Sequence, residues 1–361
     1  MEGCMELIVR AIDVGRGNTK FITDIRNGEP QCAMFPSQAH PAEAAYEHEG
    51  WGPGRKTVSI PVDGLVYEVG PDVHLATDIF NANVLQHDRY AETPEYLALV
   101  LGALHYMQLD AIDLLIVGLP VATFKLKRHV AALERRLTGD HELAKGRRIR
   151  VKRVKAIAQP AGALMYYGLM QNRVTQLRKE RSLIVDPGRR TFDWIVTQGM
   201  QQIDKRSHSV PRGMHDVLHA IVDGISRNTG AHYREYELVD TALRTGKKLI
   251  VFQKDYNLTQ HLALAKKVPE QAIAEMLHYV GDAGDIKNII LVGGGAFFYK
   301  PALKAAFPNH AIQELKDSIY ANVKGFQYAG IELAKSLPGT KGQLTSAAAI
   351  IAAQPGGPVN E

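Results

Sequence analysis

Ala11-Ile12-Asp13-Val14-Gly15-Arg16-Gly17-Asn18-Thr19-Lys20 is the stretch whose reading decides the fold. Ile8, Val9, Ala11 and Ile12 form an apolar run of the kind that makes a buried strand, and the run stops at an acid followed by two glycines. That pattern predicts a hairpin turn. Gly15 and Gly17 can take positive φ and bring backbone N–H groups close to an anion, and Lys20 starts the next strand with a cation. Asp13 has the opposite task. A carboxylate repels a phosphate, so in such a turn it would hold a hydrated Mg²⁺ that bridges phosphate oxygens. Taken alone, the segment reads more readily as an ordinary hairpin with a glycine-rich turn.

The same logic recurs downstream. Ser182-Leu183-Ile184-Val185-Asp186-Pro187-Gly188-Arg189-Arg190-Thr191-Phe192-Asp193-Trp194-Ile195-Val196 is again strand, acid, glycine turn and strand. Two such units in one chain suggest two similar halves facing each other across a nucleotide. A third element is the strand Asn288-Ile289-Ile290-Leu291-Val292, which runs into Gly293-Gly294-Gly295-Ala296. Backbone without side chains can lie flat there against a base or ribose, and the next helix is expected to begin near Lys300-Pro301, since proline suits a first helical turn.

With these three motifs in order, the sequence resembles the actin-like ATPases, and within them the plasmid-segregation branch typified by ParM and StbA. The first phosphate motif matches residues 13–20, the second residues 186–193, and the adenosine motif residues 291–296. The first connecting motif matches Ala158-Gln159-Pro160-Ala161-Gly162-Ala163, and the second is matched more loosely by Ala321-Asn322-Val323-Lys324-Gly325-Phe326. The resemblance spans about residues 7–350, and the three glycine motifs together are far more specific than any one of them.

The resemblance implies an actin-like (ribonuclease H-like) two-domain α/β fold with ATP and Mg²⁺ in a cleft between the domains. It implies that Asp13 and Asp186 hold the metal ion through water. Gly15, Arg16, Gly17, Asn18, Thr19 and Lys20 would bind phosphate, joined by Gly188, Arg189, Arg190 and Thr191. Gly293, Gly294, Gly295 and Ala296 would take the adenosine, with weaker contacts from Arg244, Gly246 and Lys247, which a charged helix end stopped by glycine explains as well. Gln159 would orient the attacking water as a positioning group, since an amide is no strong base; the lesser alternative on sequence alone is a helix cap. Arg189 and Arg190 depart from the family, whose members mostly carry small or acidic residues in this turn. One could grip a terminal phosphate while the other pairs with Asp193 or an exposed acid, or both could point to solvent.

The implied function is head-to-tail filament assembly on ATP binding and disassembly on hydrolysis, serving DNA segregation through a separate DNA-binding adaptor. GTP is a possible second nucleotide. A non-polymerising nucleotide switch, or a small-molecule kinase of the same superfold, is the alternative.

Length and composition agree with this frame. The 361 residues exceed what one core usually serves, and 45% hydrophobic with 22% charged residues is ordinary for a globular protein. The expected first domain covers residues 1–178, with an outer subdomain at about 33–92, plus returning helices at about 322–352. The second covers residues 179–321, with an outer helical part at about 211–284, and 353–361 form a tail. Nothing approaches a membrane span, and residues 1–5 carry no basic-apolar leader, so the expectation is cytoplasmic. Cys4 and Cys32 form neither a metal cluster nor a disulfide framework.

The net charge of +5 raises the question of nucleic acid. Its basic residues concentrate in 125–129 and 145–155, where alternation over 148–154 predicts a strand with one charged face, read as a solvated edge. No DNA-binding motif accompanies them, so direct sequence-specific DNA binding is not expected. Further expectations are a hairpin of residues 58–62 and 65–69 about Asp63-Gly64, a helix from Thr93 to Gln108 capped by Thr93 with Pro94 first, a strand over 112–120 and a basic helix over 124–137. Helices are also expected over 161–170, 270–280 and 327–336, and His40, His48, His74 and His87 are read as scattered surface histidines.

Overall fold

The computed structural model describes residues 7–42, 44–45, 53–76 and 90–335. Cys4, His48, His87, the tail and the returning segment beyond 335 lie outside the described residues. The chain divides into two compact units, Met1–Arg178 with Tyr320–Glu361, and Lys179–Ile319.

The first unit opens with β1 (Val9–Val14), β2 (Asn18–Arg26) and β3 (Glu29–Pro36), the meander expected from the opening motif. A small sheet follows from β4 (His40–Ala42), β5 (Val58–Val62) and β6 (Leu65–Val69). Asp63 and Gly64 both take positive φ, 51° and 82°, as a tight two-residue hairpin turn demands. Helix α1 (Pro94–Met107) starts where Thr93 Oγ1 accepts from the Tyr96 N–H at 3.2 Å and ends at Gln108, left-handed at φ 55°. β7 (Ala111–Ile112) and β8 (Leu114–Leu119) are two strands rather than one, because the Asp113 carboxylate turns aside to accept from Ile8 N–H and the Lys152 ammonium.

The basic helix is likewise two, α2 (Val121–Lys125) and α3 (Lys127–Leu137), interrupted by Leu126, whose φ −85° and ψ 85° are not helical. β9 (Gly139–Glu142), β10 (Arg148–Val151), β11 (Val154–Ala158), α4 (Gln159–Met170) and α5 (Val174–Leu177) complete this part. The predicted single strand over 148–154 is therefore divided between two sheets. β10 does carry an exposed charged face, but it is the middle strand of β7-β10-β9, not an edge. The charge of residues 148–155 is partly matched locally: Arg150 chelates Asp140, Lys152 pairs with Asp113 and Lys155 with Glu134.

The second unit is built from β12 (Arg181–Pro187), β13 (Phe192–Gln198), β14 (Gln201–Gln202), β15 (His208–Val210), α6 (Met214–Thr229) and α7 (Tyr236–Thr245). The ribbon β16 (Leu249–Val251) and β17 (Lys254–Tyr256), then α8 (Thr259–Ala265), α9 (Lys267–Val280), β18 (Asn288–Leu291), α10 (Ala296–Ala306) and β19 (Ile312–Glu314) follow. α10 begins directly after the triple glycine, with Gly295 as its N-cap, and not at Lys300-Pro301. Pro301 sits inside the helix, where it forgoes one backbone hydrogen bond. The chain then returns to the first unit as α11 (Ala321–Lys335), six residues earlier than the pattern suggested, so the second connecting motif lies within it.

The two central sheets share a plan. In the first unit the order is β3-β2-β1-β8-β11, and in the second β14-β13-β12-β18-β19. In both, an antiparallel meander is joined by its first strand to two parallel strands. Each sheet is covered by helices, so its inner strands are apolar on both faces: β8 is buried throughout, and β13 buries Phe192 and Trp194 as well as Ile195 and Val196. Gln327 fixes α11 to the first sheet by donating from Nε2 to the Val9 carbonyl at 2.9 Å. Among the described residues no helix is long and apolar enough to cross a membrane.

Candidate functional site

In the first unit the opening motif closes as predicted, with Val14 opposite Thr19 and residues 15–18 forming the turn. Gly15 N–H donates to the Asp13 and Asn18 carbonyls, both at 3.1 Å. Neither Gly15 nor Gly17 uses positive φ, contrary to expectation. The constraint at Gly15 is a close approach instead: a Cβ there would stand 3.1 Å from the Asn18 carbonyl oxygen. The turn is braced from outside: Thr19 Oγ1 and Ser37 Oγ are 2.9 Å apart, Ser37 N–H donates to the Gly17 carbonyl, and the Tyr90 hydroxyl donates to the Val14 carbonyl. Burial pushes the Tyr90 phenol well above its usual range, keeping that donor protonated. Arg16 lies over the Tyr90 ring, 5.8 Å from its centroid.

Asp13 is the centre of this half-site. It is 1% exposed, with Lys20 Nζ 3.3 Å from one carboxylate oxygen and Gln159 Nε2 donating to the other at 2.7 Å. Gln159 is the first residue of α4, whose N-cap is Ala158, and its amide is directed to Asp13 rather than placed at the cap position. Because a carboxylate accepts only, the amide must turn its NH₂ to Asp13 and its oxygen away.

Two helix glycines allow this approach. A Cβ on Gly325 would lie 1.7 Å from the Gly162 carbonyl oxygen, so α4 and α11 cross backbone to backbone at the two connecting motifs. The ring of Phe326, brought in by that crossing, rests on Gly118 at the end of β8. A Cβ on Gly118 would meet Phe326 Cε2 at 2.5 Å and an Asp13 carboxylate oxygen at 3.0 Å.

In the second unit Asp186 and Asp193 face each other across β12 and β13, 9% and 4% exposed. The Gly188 and Arg189 carbonyls accept from Met214 and His215 N–H at 3.0 and 2.7 Å, so the turn caps the start of α6. Arg189 pairs with Glu237 on α7, an exposed acid as one alternative foresaw, although the acid lies in another helix. His215 stacks on Tyr236, and burial, reinforced by Arg190 and Arg189, lowers its pKa to about 4.

The triple glycine folds onto this turn. Gly293 has φ +83°, and a Cβ on it would meet an Asp186 carboxylate oxygen at 2.1 Å. Gly295 N–H donates to the Pro187 carbonyl at 2.8 Å, and a Cβ there would touch Pro187 and Met214. Gly294 is the open one: only Arg244 comes within 3.8 Å of its Cβ position. It borders a cavity of about 610 Å³ whose walls include Arg244, Gly293, Phe297, Lys300 and residues 314–319. Arg244 is fixed there by Asp240 at 2.7 Å and the Gly294 carbonyl at 2.6 Å, with its guanidinium 4.7 Å from the Phe297 ring centroid.

Gly246 ends α7 in the left-handed conformation, and neither it nor Lys247 belongs to the cavity wall; Ala296 is the first residue of α10, buried at 2%. Sequence reasoning missed residues 314–319. The only available signal was a polar turn following a short strand.

Two family models match the chain, an actin-like protein N-terminal domain over residues 11–162 and an archaeal MreB-like actin homologue C-terminal domain over residues 184–305. The chain belongs to the actin-like proteins. Solved actin-like structures match almost end to end. An archaeal actin homologue is 22% identical, covering 91% of this chain and all of its own at a TM-score of 0.73. The apo ParM protein of psk41 is 18% identical, covering 92% and 98% at 0.65. A 15-stranded ParM filament protein from Clostridium botulinum is 18% identical, covering 91% and 100% at 0.70. Comparison with curated proteins gave no match. The actin-like two-domain α/β fold is thus shown from both sequence and shape.

Proposed function

We propose that the chain is an ATPase that binds ATP with Mg²⁺ and assembles head to tail into dynamic filaments for DNA segregation. The observation that carries the proposal is the buried Asp13 carboxylate, held between the Lys20 ammonium and the Gln159 amide beside a glycine turn. A buried acid with a cation and an oriented amide is costly to fold around and is a mark of chemistry. The solved relatives include an archaeal actin homologue in complex with ADP and a ParM filament, which support nucleotide binding and self-assembly here.

The phosphates would lie on the backbone of residues 15–19 and 188–191, with Lys20 as counter-charge. Arg244 and Phe297, stacked beside the open face of Gly294, suit the base and ribose end. Among the described residues no three acids, histidines or cysteines gather into a metal cage. The donor set, near-buried Asp13 in one half-site and Asp186, with Asp193 facing it, in the other, fits Mg²⁺, which keeps most of its waters and takes further ligands from phosphate. Asp13 and Asp186 would hold that ion, and when bound it would neutralise phosphate charge. Gln159, its NH₂ engaged by Asp13, presents its oxygen as the acceptor that orients water. A separate DNA-binding adaptor would link filament to cargo.

Calorimetric titration with Mg-ATP and Mg-GTP, together with phosphate release, tests the ATPase. Saturable ATP binding that Asp13→Asn weakens at least tenfold is expected. Wild-type binding unaffected by that change would overturn the site.

A further inference from the structure

Helix α7 turns one face to both loops of the second half-site. Glu237, Asp240 and Arg244 recur at three and seven residues, which places them along one stripe of the helix. Glu237 engages Arg189 of the phosphate turn, while Arg244, steadied by Asp240, engages the Gly294 carbonyl. The two ties differ in strength. Arg244 makes two hydrogen bonds and lies over Phe297. The Arg189–Glu237 pair is open to water, with side chains 34% and 71% exposed.

We propose that Glu237 is an internal competitor for the phosphate of the bound nucleotide, so that phosphate binding at Arg189 displaces Glu237 while Arg244 keeps its tie to the Gly294 carbonyl. This rests on the nucleotide reading above. The direction of the exchange follows from the chemistry. A water-exposed ion pair shifts an equilibrium by about fivefold at most. A phosphate offers three oxygens and more charge, and takes the planar guanidinium fork bidentately. It sits moreover where the Gly188–Thr191 backbone pairing already shapes the turn, with Gly188 N–H bonded to the Thr191 carbonyl at 2.8 Å. Arg189 can change partner without disturbing the fold, because its structural duty, accepting from His215 N–H, is performed by its carbonyl.

The test is a double-mutant cycle on Mg-ATP affinity in the full chain, using Glu237→Gln, Arg189→Gln and both together. Removing the competitor in E237Q should tighten ATP about two- to fivefold. R189Q should weaken it about tenfold or more. In the R189Q background E237Q should change affinity by less than about 1.5-fold, since nothing remains to compete for. A general effect of deleting a negative charge would instead persist in that background and overturn the inference, as would weaker or unchanged binding by E237Q alone. If the wild-type chain binds no nucleotide, the parent reading fails and the competition fails with it.

Discussion

Gly118→Ala examines the packing that positions Asp13. The added methyl would lie 2.5 and 2.8 Å from two ring carbons of Phe326 and 3.0 Å from the Asp13 carboxylate. Ordinary carbon contacts fall near 3.5–4.0 Å, so the ring must retreat by roughly 1 Å. It has little room, because Phe326 is fully buried and α11 already touches α4 at Gly162 and Gly325. β8 cannot move away either, being hydrogen-bonded to β1 on one side and β11 on the other. Overpacking of this kind costs about 1–3 kcal/mol. We expect urea unfolding followed by circular dichroism to show that loss, with Mg-ATP affinity falling alongside. Phe326→Leu removes the ring atoms in the way, so the double mutant should be more stable than the two single losses summed would predict. Stability within about 0.5 kcal/mol of wild type for Gly118→Ala, or strict additivity in the double mutant, would refute the reasoning.

Gln159→Leu should keep nucleotide binding within a few-fold yet slow phosphate release about 100-fold, since misplaced water is poorly reactive; equal turnover would remove Gln159 from the mechanism. His215, lowered to about 4 from 6.5, binds a proton more readily in the unfolded chain, so the neutral ring stabilises the fold above pH 6.5 and that contribution is lost as pH falls towards 4. Allowing for its half-exposed ring, the loss should be about 1 kcal/mol and should vanish in His215→Gln, as followed by unfolding midpoints between those pH values. Gly293→Ala, at φ +83° and 2.1 Å from Asp186, should destabilise by more than about 2 kcal/mol, whereas Gly294→Ala, with an open Cβ position, should cost under about 1 kcal/mol but still weaken nucleotide binding; thermal unfolding and calorimetry on the pair distinguish strain from contact.

Much of the fold was legible because its signals are local. An apolar run stopped by an acid and glycines predicted both hairpins, and Thr93-Pro94 and Asp63-Gly64 announced a cap and a turn that the structure realises. The errors arose where tertiary partners override local pattern. Asp113 splits a strand because Ile8 and Lys152 claim its carboxylate. α10 starts before its proline because Gly295 is tied to Pro187 and caps it. At Gly15 of the first phosphate turn the constraint is a close approach to the Asn18 carbonyl rather than positive φ, a distinction that sequence cannot make.

At the site, the motif spacing located Asp13, Gln159 and the triple glycine, but not what they touch. The bond from Gln159 to Asp13 spans 146 residues. Phe326 on Gly118 and Glu237 on Arg189 are likewise contacts between segments remote in the chain, with no period or motif to betray them.

Nucleotide-driven self-assembly is tested most directly by sedimentation with right-angle light scattering, across a range of protein concentrations, with ATP, GTP, ADP or a non-hydrolysable ATP analogue. The account predicts pelletable polymer above a critical concentration with triphosphate, decaying as ADP accumulates and persisting with the analogue. ATP turnover per subunit that is independent of protein concentration, with no polymer under any nucleotide, would contradict it and leave a monomeric actin-like switch.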